Sequence, residues 1–337
     1  MVTRKRIVCI NSTIPVRQRM RRDGRVTPLH HWGFVPGPED VLLAHRINRV
    51  EITLRYRLGG LDPNVFLRTC WHLLRGSQGV FVATQPDVWQ ALPLLRRLFP
   101  RRRLVCWVWM DWEVDRYLRR LLPCDHVICA TAGAKARLDA AGMQDRSSFE
   151  IWGCKPDHYR LPVPPSVDTD VFLAGLTNRD TAMIEGAMAS GRYSILTTPT
   201  TLKAGGLTAG GKGRIEVLPI DTEETLARAF HRSRVTWNPL KPDEPYLSGI
   251  TNVIEALLCG TSVVIGEGSR IPQEILSLPG IFKYRTGALV DFMRATDEAL
   301  AFMRQPGVRE AIVAAASPVL NGVRLEQTAR RALGLAP

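Results

Sequence analysis

Three features that would place the chain in a class at once are missing from its 337 residues. No apolar run approaches the roughly 18 residues that a membrane-spanning helix needs. The start MVTRKRIVCINS is basic, but its apolar run of four residues is too short for a signal peptide. The seven cysteines are dispersed, with no C-x-x-C pair, which indicates reduced, buried thiols and no zinc site. These absences predict a cytoplasmic protein.

Acidic residues are few relative to basic ones. The chain has 32 Asp and Glu against 45 Lys and Arg, a formal charge of +13. Such an excess favours a polyanionic partner, either nucleic acid or an anionic membrane surface, although a basic surface without a partner gives the same composition. With 45% hydrophobic and 23% charged residues, the chain is typical of soluble globular proteins and not of disordered ones.

Short apolar runs alternate with helix-like stretches along the chain, which predicts buried parallel strands with helices between them. The first series comprises strands at 6–10, 50–56, 79–84, 103–110 and 126–131, with helices at 65–76 and 88–99. The second comprises strands at 170–176, 192–198, 214–220, 234–240, 262–266 and 281–284, with helices at 179–190, 222–233, 251–259 and 287–304. Since the proline-rich segment 151–165 separates the two series, we expect two α/β domains that meet near residue 160.

Two patterns that would bind phosphate or metal are incomplete. In the glycine-rich stretch ending Gly211-Lys212-Gly213, a glycine and then a strand follow the lysine, where a P-loop needs Ser or Thr and a helix. The pair Asp168-Thr-Asp170 precedes a strand, whereas metal-binding acids of this spacing follow one. The sequence therefore predicts neither an NTPase site nor a required divalent metal.

The segment YLSGITNVIEALLCGTSVVIGEG, residues 246–268, predicts a glycine turn, a helix, a second glycine and a buried strand. N–H groups at the start of such a helix can bind a diphosphate. The residues that would present them are Ser248, Gly249, Ile250, Thr251 and Asn252. Glu255 lies one turn into the helix, where it can accept hydrogen bonds from a ribose diol. Alternatively, Glu255 pairs with an arginine elsewhere and Gly260 caps the helix.

This segment resembles the donor-site signature of GT-B glycosyltransferases, with a retaining, family 4-like donor site. FLAGLTNRD (172–180) is similar to the opening of a donor domain, 124–142 to the last strand–helix unit of an acceptor domain, and IWGCKPDHYRL (151–161) to the crossing between domains. The resemblance implies two facing, doubly wound Rossmann-like domains with an interdomain cleft. Residues 1–160 would bind the acceptor and 161–320 the nucleotide sugar, while 321–337 would form a helix that crosses back to the first domain.

The resemblance also implies roles for single residues. Glu255 would hold the ribose of a UDP- or GDP-sugar, and Arg179 its diphosphate. The lysine expected five residues after Arg179 is absent, so Lys203 or Lys212 would have to reach the diphosphate. Leu247 stands where many retaining members carry a first glutamate, which leaves the contact with the donor sugar to Asp243 or Glu244. No covalently bound cofactor is implied.

A general base is harder to predict. The candidates are His30, His31 and Asp111. Both histidines lie in a polar stretch, and Asp111 is equally well placed to cap a following helix.

The acceptor is predicted from the basic clusters of the first half of the chain. These are Arg17, Arg19, Arg21 and Arg22, then Arg101, Arg102 and Arg103. The first cluster lacks apolar anchors and suits a phosphate backbone, so we expect a hexosyltransferase that modifies hydroxymethylated pyrimidines in DNA, as phage-type enzymes do. Such an enzyme would act in the cytoplasm, that of a host if phage-encoded.

A membrane is the alternative partner. The stretch LPLLRRLFPRRR has apolar residues, Leu94, Leu95 and Phe99, beside its arginines, which suits peripheral binding to an anionic membrane and transfer to a lipid-linked or cell-envelope glycan. A third hypothesis is a sugar-nucleotide binding protein without enzymatic activity.

Overall fold

The structure is a computed structural model. It describes residues 6–10, 39–43, 62–83, 89–154, 159–175, 178–205, 207, 214–220, 222–242 and 247–335. These residues divide into two compact units. The N-terminal unit holds the described residues up to Trp152 and those from Gly322 onward, and the C-terminal unit holds those from Gly153 to Asn321. The domain limits drawn from the sequence, with their assignment to acceptor and donor, stay predictions.

The N-terminal unit is built on a parallel sheet of six strands in the order β2-β1-β3-β4-β5-β6. Its strands are β1 (Ile7–Ile10), β2 (Val41–Leu43), β3 (Gly79–Ala83), β4 (Arg103–Val108), β5 (His126–Cys129) and β6 (Ser147–Phe149). Its helices are α1 (Pro63–Leu74), α2 (Leu92–Leu98), α3 (Asp111–Leu121), α4 (Ala132–Ala140) and, at the end of the chain, α12 (Val323–Ala332), with a 3₁₀ turn at Gln144–Arg146.

Both faces of this sheet are covered by helices. One hydrophobic cluster joins alternate residues of the strands to buried residues of α1, α2, α3 and α4, so these four helices share one face. α12 packs on β4 and β5 from the other face, and its Thr328 hydroxyl donates to Glu150 Oε1 at 2.7 Å. β1 and β3 are buried along their whole length, and their sequences IVCI and GVFVA are continuous apolar runs without alternation, as in most parallel sheets.

The start of α3 shows how a buried acid supports the unit. Glu113 Oε2 accepts hydrogen bonds from the N–H groups of Trp109 at 2.8 Å and Met110 at 2.9 Å. Burial raises the pKa of Glu113, while these two N–H groups act in the opposite direction. The carboxylate thus satisfies two donors where β4 leads into the helix.

Replacing Glu113 by alanine is expected to destabilise the N-terminal unit by about 2–3 kcal/mol, because two N–H groups lose their acceptor. Hydrogen exchange of the β4 and β5 amides measures this loss, with the strands of the C-terminal unit as internal reference. Glu113→Gln keeps an acceptor and should lose less. Since the folded-state pKa is raised, the wild type should gain stability relative to Glu113→Gln as the pH falls from neutral. Equal protection in all three proteins would contradict this.

The C-terminal unit has a second six-stranded parallel sheet, in the order β12-β11-β10-β7-β8-β9. Its strands are β7 (Thr169–Leu173), β8 (Ile195–Thr197), β9 (Ile215–Val217), β10 (Ser233–Asn238), β11 (Ser262–Gly266) and β12 (Ile281–Tyr284). Its helices are α5 (Thr181–Ala189), α6 (Pro199–Gly205), α7 (Glu223–Arg232), α8 (Ile250–Leu258), α9 (Gln273–Leu276), α10 (Leu289–Phe302) and α11 (Val308–Val319).

The strand order of this second sheet contains a topological switch point between β7 and β10. The chain starts at β7, builds outward through β8 and β9, and then returns to place β10 on the other side of β7. At such a switch point the loops after the two central strands diverge and leave a crevice at the carboxyl edge of the sheet. Asp168 and Asp170 lie at the opposite edge, where they pair with Arg232 and Arg234.

The predicted fold class, two doubly wound Rossmann-like halves, is confirmed. The predicted strand at 50–56 lies outside the described residues. β2 and β6 were not predicted; β6 has the sequence SSF, which is not the apolar run that indicates a buried strand. Among the described residues, no helix combines the length and apolar character needed to span a membrane.

Candidate functional site

The site lies at the carboxyl edge of β7 and β10 and is centred on Arg179. The Arg179 side chain is buried; its Nη1 donates to Asn238 Oδ1, and its Nη2 donates to the Ala174 carbonyl at 3.1 Å. Within the described part of the chain its Nε has no hydrogen-bond partner. Burial lowers the pKa of the guanidinium to about 10. The group therefore carries its positive charge at neutral pH inside the crevice.

The loop after β7 is shaped around this guanidinium. Gly175 has φ +100°, and a Cβ there would overlap Arg179 Nη2. Asn178 has φ 55°, in the left-handed region that asparagine tolerates better than most residues. Its carbonyl accepts from Lys241 N at 3.0 Å, which ties the loop to the chain leaving β10.

The glycine turn before α8 meets the same network. Gly249, the N-cap residue, has φ 77° and ψ −5°, and a Cβ at this position would overlap the Asn238 amide. Asn238 Nδ2 donates to the Gly249 carbonyl at 3.4 Å, and Asn178 Nδ2 donates to Ser248 Oγ at 3.2 Å. Asn238 therefore contacts Arg179 with one end of its amide and the glycine turn with the other.

The first turn of α8 leaves polar groups open toward the crevice. Gly249 provides no side-chain cap, so N–H groups of the first turn, such as those of Thr251 and Asn252, have no acceptor among the described residues. Asn252 Nδ2 donates to the Ala174 carbonyl at 3.3 Å, and its buried Oδ1 lacks a partner among the described residues. A helix N-terminus and a buried guanidinium on one network together make a candidate anion site.

Glu255 lies one turn further along α8, and its carboxylate is buried. The Tyr159 hydroxyl donates to its Oε1 at 3.0 Å. Burial first, and the Glu255 charge second, hold the pKa of Tyr159 well above its usual range, so the phenol stays protonated and acts as the donor. The contact orients the carboxylate from a residue 96 positions away in the chain.

A cavity of about 340 Å³ opens at the carboxyl edge of β10, β11 and β12. Leu240, which forms an isolated bridge with Arg179, joins it to the anion site. Its volume falls within the range of small-molecule pockets. The lining residues are Leu240, Lys241, Pro242, Gly266, Glu267, Gly268, Ser269, Arg270 and Thr286. Lys241 and Arg270 bring two exposed cations to this cavity.

Solved structures of this architecture match nearly the whole chain. HepE from Anabaena, in complex with UDP, has a TM-score of 0.68 at 13% identity, covering 98% of this chain and 99% of HepE. Sucrose-phosphate synthase from Thermosynechococcus elongatus has a TM-score of 0.65 at 14% identity, covering 97% and 98%. A lipopolysaccharide outer core galactosyltransferase has a TM-score of 0.62 at 11% identity, covering 98% and 99%. The chain has the GT-B fold. No protein-family model matches it, and no curated protein matches its sequence at a significant level.

The second sheet of this GT-B chain brings together most of the predicted donor residues that are described. Arg179, Ser248, Gly249, Ile250, Thr251 and Asn252 lie in or beside one network, and Glu255 follows on the same helix. Lys203 lies on α6 with its side chain exposed. Other predicted residues lie outside the described part of the chain: Arg17, Arg19, Arg21, Arg22, His30, His31, Lys212, Asp243 and Glu244.

Asp111, a predicted general base, belongs to the first GT-B half. It is the first residue of α3; its Oδ1 accepts from Thr131 Oγ1 at 2.6 Å, and its Oδ2 from Arg137 Nη1 at 3.1 Å. Arg137 also binds Asp115, with Nε 2.9 Å from Oδ1. The carboxylate therefore joins α3 to α4, and its role as a base stays a prediction.

Sequence reasoning missed several residues of the site: Tyr159, Asn178, Asn238, Lys241 and Arg270. A sequence pattern could have identified two of these residues, Asn238 and Lys241. Asn238 ends β10 and Lys241 follows it, and polar residues just beyond the carboxyl end of a buried strand are typical of binding sites in open α/β sheets. Tyr159 had no such signal, because its contact with Glu255 depends on tertiary structure alone.

Proposed function

We propose that the protein is a glycosyltransferase that takes a sugar from a nucleoside diphosphate sugar and transfers it to a hydroxyl group. The observation that carries the proposal is the anion site, in which the open first turn of α8 and the buried Arg179 lie on one network in a GT-B fold. HepE, of the same fold, was solved with UDP and with UDP-glucose, which favours a uridine donor.

The proposed donor pose follows from these contacts. The diphosphate lies at the N–H groups of Thr251 and Asn252 with Arg179 behind them, and the ribose diol faces Glu255, which Tyr159 orients. The cavity beside Leu240 takes the sugar end of the donor, where Lys241 and Arg270 add positive charge. This arrangement needs no resident metal ion, since helix dipole and guanidinium groups supply the positive potential.

The proposed reaction depends mainly on stabilisation of its leaving group, the nucleoside diphosphate. The bond from the anomeric carbon to the diphosphate oxygen breaks as the acceptor oxygen bonds to that carbon, and the acceptor proton passes to a base or to the departing diphosphate. Negative charge grows on the bridging oxygen in the transition state, so fixed positive groups beside the diphosphate lower the barrier. Arg179 and the start of α8 supply these groups without having to reorganise.

The predicted DNA acceptor rests mainly on residues outside the described part of the chain. Of its second cluster, Arg102 Nη2 donates to the Leu73 carbonyl at 3.4 Å, and Arg103 Nη1 lies 4.0 Å from Asp125. Arg101 is exposed, and no described residue pairs with it. Modification of DNA therefore stays a prediction, based on Arg17, Arg19, Arg21 and Arg22 together with Arg101, Arg102 and Arg103.

Donor binding is tested with UDP and UDP-sugars in thermal-shift and calorimetric titrations. Replacing Lys241 or Arg270 by alanine should weaken UDP-glucose by about fivefold each, as expected for an exposed charge worth about 1 kcal/mol. The control is Arg304→Ala, which removes an exposed arginine beyond the far end of α10. Failure of the wild type to bind any nucleoside diphosphate sugar would refute the proposal. If Arg304→Ala weakens UDP-glucose as much as the other two substitutions do, only the placement of the sugar in the cavity beside Leu240 is refuted.

A further inference from the structure

The outward side of α1 carries a row of large apolar side chains exposed to solvent. Leu67 is 64% exposed, Trp71 52% and Leu74 72%. Their spacing of four and three residues puts them on one side of the helix. Val65, Thr69 and Leu73, on the opposite side, are buried against the sheet. We call Leu67, Trp71 and Leu74 the apolar stripe. Its side chains contribute neither to the hydrophobic core nor to the candidate donor site.

Positive charge surrounds the apolar stripe. Arg68 on the same helix and Arg75, its C-cap residue, are exposed, and the Arg75 guanidinium lies 4.2 Å from the centre of the Trp71 ring. Burial, and then the charges of Arg6, Arg68 and Arg75, lower the pKa of His72. From residue 63 to residue 110 the sequence has seven arginines and a single acid, Asp87.

A second exposed apolar pair lies on α2, which packs on the same face of the sheet as α1. Leu94 and Leu98 are exposed, and Arg97 and Arg101 beside them are exposed as well. The expectation that Leu95 belongs to an outward apolar face is wrong: it is fully buried, because the helix turns Leu92 and Leu95 toward the sheet. Phe99 is partly buried against the same core.

We propose that α1 and α2 form a docking surface for an anionic lipid bilayer, with the apolar stripe inserted among the acyl chains and the surrounding arginines on the lipid phosphates. Leucine and tryptophan flanked by arginine are typical of helices that lie in a membrane interface. Each arginine near an anionic leaflet adds attraction, and few acids oppose it along this stretch.

Charge complementarity favours lipid over the other occupants. A second copy of the chain docking by two-fold symmetry would bring the arginines of one α1 toward those of the other, which is repulsive. Duplex DNA would satisfy the arginines, but it offers no apolar counterpart to three exposed side chains, since protein–DNA interfaces are polar. An anionic bilayer offers phosphates to the arginines and acyl chains to the apolar stripe.

The test is flotation of the full chain, without donor, with vesicles of equal parts phosphatidylglycerol and phosphatidylcholine. The wild type should float with these vesicles and stay behind with pure phosphatidylcholine. Leu67→Ser, Trp71→Ser and Leu74→Ser together should cut the bound fraction at least tenfold, as should Arg68→Gln with Arg75→Gln. The matched control is Val163→Ser with Val290→Ser, which removes two side chains that are 75% and 83% exposed in the other unit and should float as the wild type does.

A second readout reports insertion directly. Brominated phosphatidylglycerol should quench part of the wild-type tryptophan fluorescence, and Trp71→Phe should lose that part while still floating. Far-UV circular dichroism and thermal unfolding like those of the wild type show that the stripe variant is folded. Its UDP binding, which depends on the C-terminal unit, should equal that of the wild type. A wild type that does not float, or a stripe variant that floats unchanged, would overturn the proposal. So would a solution dimer or a DNA complex that the stripe variant alone disrupts, since the surface would then belong to that partner.

Discussion

Replacing Gly249 by alanine is expected to reduce UDP and UDP-glucose affinity by about 100-fold or more, since more than one hydrogen bond to the charged diphosphate is lost and each is worth about 1.5–3 kcal/mol. The residue has φ 77°, which alanine adopts at a cost of about 1–2 kcal/mol. The added Cβ would also overlap the Asn238 amide, so Asn238 must move and release Arg179 Nη1. One methyl group therefore displaces both halves of the anion site.

The chain offers a matched control for this experiment. Gly307 is also an N-cap glycine, at α11, with φ 74° and ψ 0°, and a Cβ there would meet no atom within 4 Å. Gly307→Ala has the same backbone cost of about 1–2 kcal/mol without the overlap, so it should keep donor affinity, as measured by calorimetry, with thermal unfolding as the check on stability. If the two variants bind UDP equally well, the turn before α8 does not hold the diphosphate.

Replacing Glu255 by alanine should weaken UDP by about 10- to 150-fold, because a ribose diol would lose a charged acceptor worth about 1.5–3 kcal/mol. The change also leaves the buried Tyr159 hydroxyl without its Glu255 acceptor, so some stability is lost as well. Tyr159→Phe removes the orienting hydrogen bond and keeps the carboxylate, and should weaken UDP by about threefold, within the range of one neutral hydrogen bond.

Deoxy analogues separate the ribose contact from any loss of structure. The wild type should bind UDP more tightly than 2′-deoxy- or 3′-deoxy-UDP, and this preference should vanish in Glu255→Ala while the weaker overall binding remains. Isothermal titration with the three nucleotides measures the difference. If Glu255→Ala still prefers UDP to the deoxy analogues, a group other than Glu255 binds the ribose hydroxyls.

Local patterns were enough to predict the architecture. β11 and β12 lie at the residues that the sequence predicts, since each is a short apolar run bounded by glycine or polar residues. The helix predicted at 88–99 begins at Leu92, and α11, with Pro318 inside it, was not predicted. Proline argues against a helix interior, and here packing of α11 against α8 outweighs that preference.

The candidate site could be predicted only where it is local in sequence. Ser248 to Glu255 is one continuous stretch, so glycine, helix start and acid appear together. Asn238 reaches Arg179 across 59 residues, and Tyr159 reaches Glu255 across 96. Such contacts exist only once the sheet order places β10 beside β7, and no window of the sequence contains them.

The return of α12 to the first sheet has a consequence for the order in which the protein folds during synthesis. All residues of the C-terminal unit leave the ribosome before α12 does, whereas the N-terminal unit lacks the helix that covers β4 and β5 until residues after Gly322 emerge. The N-terminal unit, whose synthesis begins first, is therefore completed after the C-terminal unit. A released chain that ends at Asn321 should show a protease-resistant C-terminal unit beside an N-terminal unit whose exposed sheet face is a target for chaperones.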